Sequence, residues 1–110
     1  MPEDAKTAVS AALDRMWTQF LPQTRERILT LEAAARTLAG GGISIAQTRD
    51  AQEAAHKLAG GLGMFGLTRG TVLARELELI YSRPPAFDAE LVQTVAAATT
   101  DLRAIIESKK

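Results

Sequence analysis

Apolar residues recur along this chain at alternating steps of three and four and nowhere alternate at a step of two. That period marks amphipathic helices rather than half-buried strands. Val9, Leu13, Met16, Trp17 and Phe20 share one helical face, which Leu21-Pro22 is expected to interrupt or kink, because proline lacks the amide hydrogen a helix interior needs. Ile28, Leu31, Ala35 and Leu38 form the stripe of a second segment, ended by Gly40-Gly41-Gly42. Ser44, with Gln47 three residues on, predicts a capping box at the start of a third helix that ends between Gly60 and Gly66. A fourth begins near Thr68, buries Leu73, Leu77 and Ile80, and stops before Pro84-Pro85. Asp88 is the expected N-cap of the fifth, with Phe87 and Val92 placed as a hydrophobic staple and Leu91, Val95, Ala98, Leu102 and Ile105 as its core stripe. Short connections make antiparallel neighbours. The expected fold is therefore all-α: an antiparallel four-helix bundle with an additional N-terminal helix, in a single domain over residues 1–110.

The third helix carries the only histidine, His56. At about 100° per residue, Ala51, Ala55, Leu58, Leu62 and Phe65 cluster on the side away from it. The imidazole's own face carries Arg49, Gln52, Glu53, Ala59, Gly60 and Gly63. Glycine in a helix interior costs about 1 kcal/mol relative to alanine, so a helix running through Gly60, Gly61 and Gly63 sacrifices roughly 2–3 kcal/mol. A flat surface where another protein's backbone can reach the imidazole would account for that cost; a helix simply ending at Gly60-Gly61 is the alternative.

Totals remove several functions. The formal net charge is +0, so no basic surface advertises nucleic acid. Cysteine is absent, which excludes disulfides and thiolate chemistry. No apolar stretch approaches the roughly 18 residues of a membrane span, and the acidic Met1-Pro2-Glu3-Asp4 start is unlike a signal peptide. These features point to a soluble, cytoplasmic domain, and a monomer is expected. Gly61-Leu62-Gly63-Met64-Phe65-Gly66 spells the G-x-G-x-x-G of dinucleotide-binding turns, but that motif needs a strand before it and a helix opening from it, and here a helix precedes it. No Gly-Lys-Ser/Thr phosphate loop and no Gly-x-Ser-x-Gly elbow is present, and one imidazole without thiols is a poor metal site.

The run Ala55-His56-Lys57-Leu58-Ala59-Gly60-Gly61-Leu62-Gly63-Met64-Phe65-Gly66-Leu67, followed by Leu77-Glu78, resembles the signature of histidine-containing phosphotransfer (HPt) domains. That signature is a His, a Leu or Ile two on, Gly four on, Gly ten on and a Leu-Glu in the next helix; Leu58, Gly60, Gly66 and Leu77-Glu78 stand at those spacings. The resemblance implies a phosphorelay intermediate without catalytic activity of its own. His56 would accept a phosphoryl group on Nε2 from a receiver-domain aspartate and pass it to another receiver, which brings the Mg²⁺, so the chain needs no cofactor. An exposed imidazole is largely neutral at pH 7 and so nucleophilic without an added base. Glu78, twenty-two residues past His56, would orient the ring through Nδ1, as in phosphoacceptor domains of chemotaxis kinases.

One position departs from the family. Many members carry Lys three residues after the His to steady the phosphoryl group, and this chain has Ala59. Lys57, one residue on, is the candidate stabiliser, and Arg49 shares the His56 face. Gly61 stands where many relatives have Ser. The expected partner-binding residues are Arg49, Gln52, Gly60, Gly61, Gly63 and Met64, forming a mostly apolar patch. Two other readings stay open: a phosphoacceptor served by a separate histidine kinase catalytic domain, and a helical adaptor that binds a receiver or kinase without being phosphorylated.

Overall fold

A computed structural model describes residues 2–83 and 87–109; Pro84-Pro85 lie outside the described residues. Among these the chain is helical: α1 Pro2–Ala39, α2 Ile45–Met64, α3 Thr68–Ser82 and α4 Ala89–Ser108. Each helix packs on two neighbours, α1 on α2 and α4, and α3 on α2 and α4, which closes an antiparallel ring around one core. The fully buried side chains at its centre include Ile28, Leu31, Leu58, Leu62, Leu77, Val95, Leu102 and Ile106. On α4 it is Ile106, rather than the expected Ile105, that goes fully inside.

The expected first and second helices are one. α1 runs 38 residues with Pro22 inside it, so the separate N-terminal helix is not found. Proline at position 22 removes the donor for the carbonyl of Thr18, four residues back. Both residues are exposed, so that carbonyl faces water rather than the core. On either side of this point the stripe is held by packing: Trp17 meets Phe65 edge-on at 5.0 Å between ring centroids, and Thr24 is fully buried, its hydroxyl donating to the Phe20 carbonyl at 3.1 Å. The molecule's longest dimension, 57 Å, is the length of α1; the 20 residues of α2 span about 30 Å. The first part of α1 therefore extends past the bundle, and Val9, Leu13 and Met16 are exposed rather than core.

Two bidentate ion pairs tie α1 to α4. Arg103 donates to both oxygens of Glu32 at 2.5 and 2.6 Å, and Arg25 to both of Glu107 at 2.9 Å. The hydrogen bond from Arg103 holds the Glu32 carboxyl below the usual carboxylate range. A lowered folded-state value means that this contribution is present above the ordinary glutamate range and is lost as pH falls through the lowered value.

Helix ends follow their local chemistry. Ser44 Oγ accepts the Gln47 amide at 3.0 Å, half of the expected capping box; the Gln47 side chain donates instead to Thr37 Oγ1 across the α1–α2 turn. Asp88 accepts the Leu91 amide at 2.8 Å at the head of α4. α2 ends in a Schellman turn: Leu67 N–H reaches Leu62 O at 3.0 Å, Gly66 N–H reaches Gly63 O at 3.2 Å, and Gly66 has φ +73°. Glycine at position 66 is what lets the chain reverse here without steric strain and lay α3 back along α2. That reversal builds the site.

Candidate functional site

His56 sits midway along α2, with its ring 68% exposed, and its Nδ1 lies 2.7 Å from Glu78 Oε2 on α3. Glu78 is only 23% exposed. The more buried partner therefore fixes the ring while the ring itself faces solvent. A carboxylate accepts only, so Nδ1 is the protonated nitrogen and Nε2 keeps its lone pair. The two residues meet because α2 and α3 are antiparallel and share a register. Thr71 Oγ1 donates to Ala59 O at 3.4 Å, and seven residues further along the same face of α3 Glu78 arrives opposite His56.

The flanks of His56 differ. On one side α3 covers Ala59, which is buried to 1% although the helical wheel places it on the imidazole's face. On the other side Lys57 Nζ pairs with Glu53 Oε1 at 2.7 Å, in a hollow shared with Arg27 and Thr30 of α1. The structure thus brings Lys57 to Glu53 and not to the imidazole. Arg49 is exposed but lies two helical turns, about 10 Å, before His56 along the axis. It lines a shallow groove of about 250 Å³ with Gln52 of α2 and Tyr81, Ser82 and Arg83 at the end of α3. Burial pushes the Tyr81 phenol up to about 12, so it stays a neutral wall of that groove.

The glycines separate into two kinds. Gly60 and Gly63 are exposed: a Cβ on Gly60 would meet nothing within 4 Å, and one on Gly63 would meet only Thr71 Oγ1 at 3.5 Å. Gly61, expected in the docking surface, is buried instead. A Cβ there would lie 2.6 Å from two atoms of the Phe20 ring. At about 140° from His56 around the helix, position 61 points at α1. It is glycine so that α1 can approach, and it does not belong to the exposed face. Alanine scanning separates the two kinds. Gly60→Ala is expected to stabilise the fold by about 1 kcal/mol through helix propensity. Gly61→Ala is expected to destabilise it by about 1–2 kcal/mol, because the Phe20 ring is held between Phe65 and Arg27 and cannot swing clear at no cost. Urea unfolding midpoints of the two variants check both signs.

Exposed apolar residues lie along α2 and α3, and of these the sequence reading names only Met64. Ile45 is 72% exposed and in line with His56 on α2; Met64 is exposed at the far end of that helix, and Val72 and Leu79 are exposed on α3. Periodicity assigns apolar residues to a core and carries no signal for those left outside. Ile45 could have been found, since it stands only about 20° from His56 on the helical wheel. Among the described residues no cluster of acidic, histidine or cysteine side chains could hold a metal ion, and no helix is long and apolar enough to cross a membrane.

Comparison with known proteins identifies the family of the chain. Protein RcaC of Microchaete diplosiphon is 38% identical over 78 residues, a stretch that covers 71% of this chain and 12% of that protein. The chain thus matches only a small part of a much longer relative. No solved structure matches significantly. The family model described as Hpt domain matches residues 15–106, which include α2, α3 and the His56–Glu78 pair. The chain belongs to the Hpt domain family.

Proposed function

We propose that this domain is a phosphorelay carrier that takes a phosphoryl group onto His56 Nε2 from the aspartyl phosphate of a receiver domain and gives it to the aspartate of another. The observation that carries the reading is the 2.7 Å Nδ1–Glu78 contact beside an otherwise exposed ring, because it commits Nε2 to the solvent side as the nucleophile. In the forward step the Nε2 lone pair attacks phosphorus, and the P–O bond to the receiver's aspartate breaks, its electron pair leaving with the carboxylate. The Nδ1 proton stays in place, so the product is a phosphoimidazolium whose N–H faces the Glu78 carboxylate. The return step breaks the N–P bond toward a second carboxylate and restores the neutral ring. No proton has to be found or lost in either direction. Phosphoryl transfer depends mainly on alignment and charge stabilisation, which a docked receiver and its Mg²⁺ supply.

The receiver would dock on the α2–α3 face. Gly60 and Gly63 give backbone clearance beside the imidazole, Gln52 offers a polar contact, and Ile45, Met64, Val72 and Leu79 supply exposed apolar area. The test is transfer of label from receiver domains charged with radiolabelled acetyl phosphate. Acid-labile, base-stable label on the wild type and none on His56→Gln is the expected result. Receivers that bind but never transfer would overturn the carrier reading in favour of an adaptor.

A further inference from the structure

The carrier reading leaves the phosphoryl group on His56 without a free cation close by on its own helix, since position 59 is a buried alanine, Lys57 is paired with Glu53 on the α1 side and Arg49 lies two turns away. The register of α3 against α2 supplies one from across the groove. Thr71 lies opposite Ala59, Glu78 opposite His56, and Arg75 falls between them, four residues after the first and three before the second. Residues at those spacings share a helix face. Arg75 is exposed and makes no ion pair or hydrogen bond among the described residues. The other arginines on this side are spent or distant: Arg69 faces Asp101 of α4, Arg49 stands two turns from the imidazole, and Arg83 lies past the end of α3, five residues beyond Glu78.

We infer that Arg75 is the phosphoryl-binding residue of this domain, its guanidinium pairing with the oxygens of a phosphoryl group on His56 Nε2. The inference rests on the phosphocarrier reading and moves the steadying charge from α2 to α3. The chemistry suits the residue: a guanidinium presents two parallel N–H donors to a phosphoryl group, where an ammonium presents a point charge. Its position beside Glu78 gives α3 both halves of the charge pattern. The carboxylate faces the ring proton and the guanidinium faces the phosphoryl oxygens. A lysine emerging from position 59 would have to pass Thr71, which covers that site and bonds its carbonyl.

Phosphoramidate, which phosphorylates imidazoles directly with release of ammonia, allows a test that needs no receiver. The pH titration of the phosphohistidine resonance by phosphorus NMR reads the charge beside the phosphoryl group. A paired cation favours the dianion, so Arg75→Gln is expected to raise the titration midpoint by about half a unit to one unit and to shorten the lifetime of phospho-His56. Arg75→Lys should restore most of the shift, and Lys57→Gln should leave the midpoint in place. An unchanged midpoint in Arg75→Gln, or a shift in Lys57→Gln of equal size, would overturn the assignment. Failure of the carrier reading looks different, as receivers that do not transfer to a wild-type protein whose chemically formed phosphohistidine still responds to Arg75.

Discussion

Replacing Glu78 with alanine is expected to slow phosphorylation of His56 by about tenfold to a hundredfold while leaving the helical bundle folded. Two physical losses add. Without an acceptor at Nδ1 the neutral ring divides between its two tautomers, and only the one protonated at Nδ1 presents a lone pair at Nε2. The larger loss is electrostatic. As the N–P bond forms, positive charge develops on the ring, and the carboxylate 2.7 Å from Nδ1 is placed to stabilise it. Tenfold in rate corresponds to about 1.4 kcal/mol of barrier, a plausible share for one charged hydrogen bond at a half-buried acceptor. Glu78→Gln keeps an acceptor oxygen and discards the charge, so it should fall between alanine and wild type. Single-turnover rates from a charged receiver measure the series. An alanine variant as fast as wild type would leave the Glu78 contact without a functional role.

The second large effect is at Gly60. Leucine there meets no neighbouring atom within 4 Å of its Cβ and is a better helix former by about 1 kcal/mol, so Gly60→Leu should fold at least as well as wild type. Yet position 60 lies one turn past His56 and only about 40° around the helix, where the backbone of a docked receiver must pass. Transfer from a receiver is expected to fall on the order of a hundredfold, since small displacements of reacting groups cost that much. Phosphorylation by phosphoramidate, a donor of a few atoms, should change far less. The ratio of the two rates is the readout; equal losses with both donors would mean that the leucine disturbs the imidazole rather than the partner.

Most of the bundle and the core of the site could be read from the chain. The core stripe of α2, most of that of α4, and the caps at Ser44 and Asp88 are local signals, each set by residues within a turn of one another, whereas the end of α2 could be bounded only to between Gly60 and Gly66. The His56–Glu78 pairing is a long-range contact, and its expectation comes from the resemblance to phosphoacceptor domains of chemotaxis kinases, not from any local signal. The physical reason it forms is that one tight turn at Gly66 leaves antiparallel α2 and α3 little freedom of register. Pro22 misled because its effect on a helix is local and its rescue is not: Trp17 and Thr24, buried on either side of it, hold α1 straight through a site where the missing hydrogen bond faces water. Gly61 misled because a glycine carries no label for its purpose, although its angle from His56 already pointed it at α1. Ala59 shows the converse. Its wheel position is on the imidazole's face, and only the placement of α3 buries it and hands the neighbouring space to Arg75.

The central claim is that Glu78 holds Nδ1 and leaves Nε2 of His56 as the acceptor. Phosphorus–nitrogen correlation NMR on the protein phosphorylated by a charged receiver reads the bonded nitrogen directly. A single N–P coupling to Nε2 of His56, with Nδ1 still carrying its proton, is the expected spectrum. Phosphorus bonded to Nδ1, or to any residue other than His56, would contradict it.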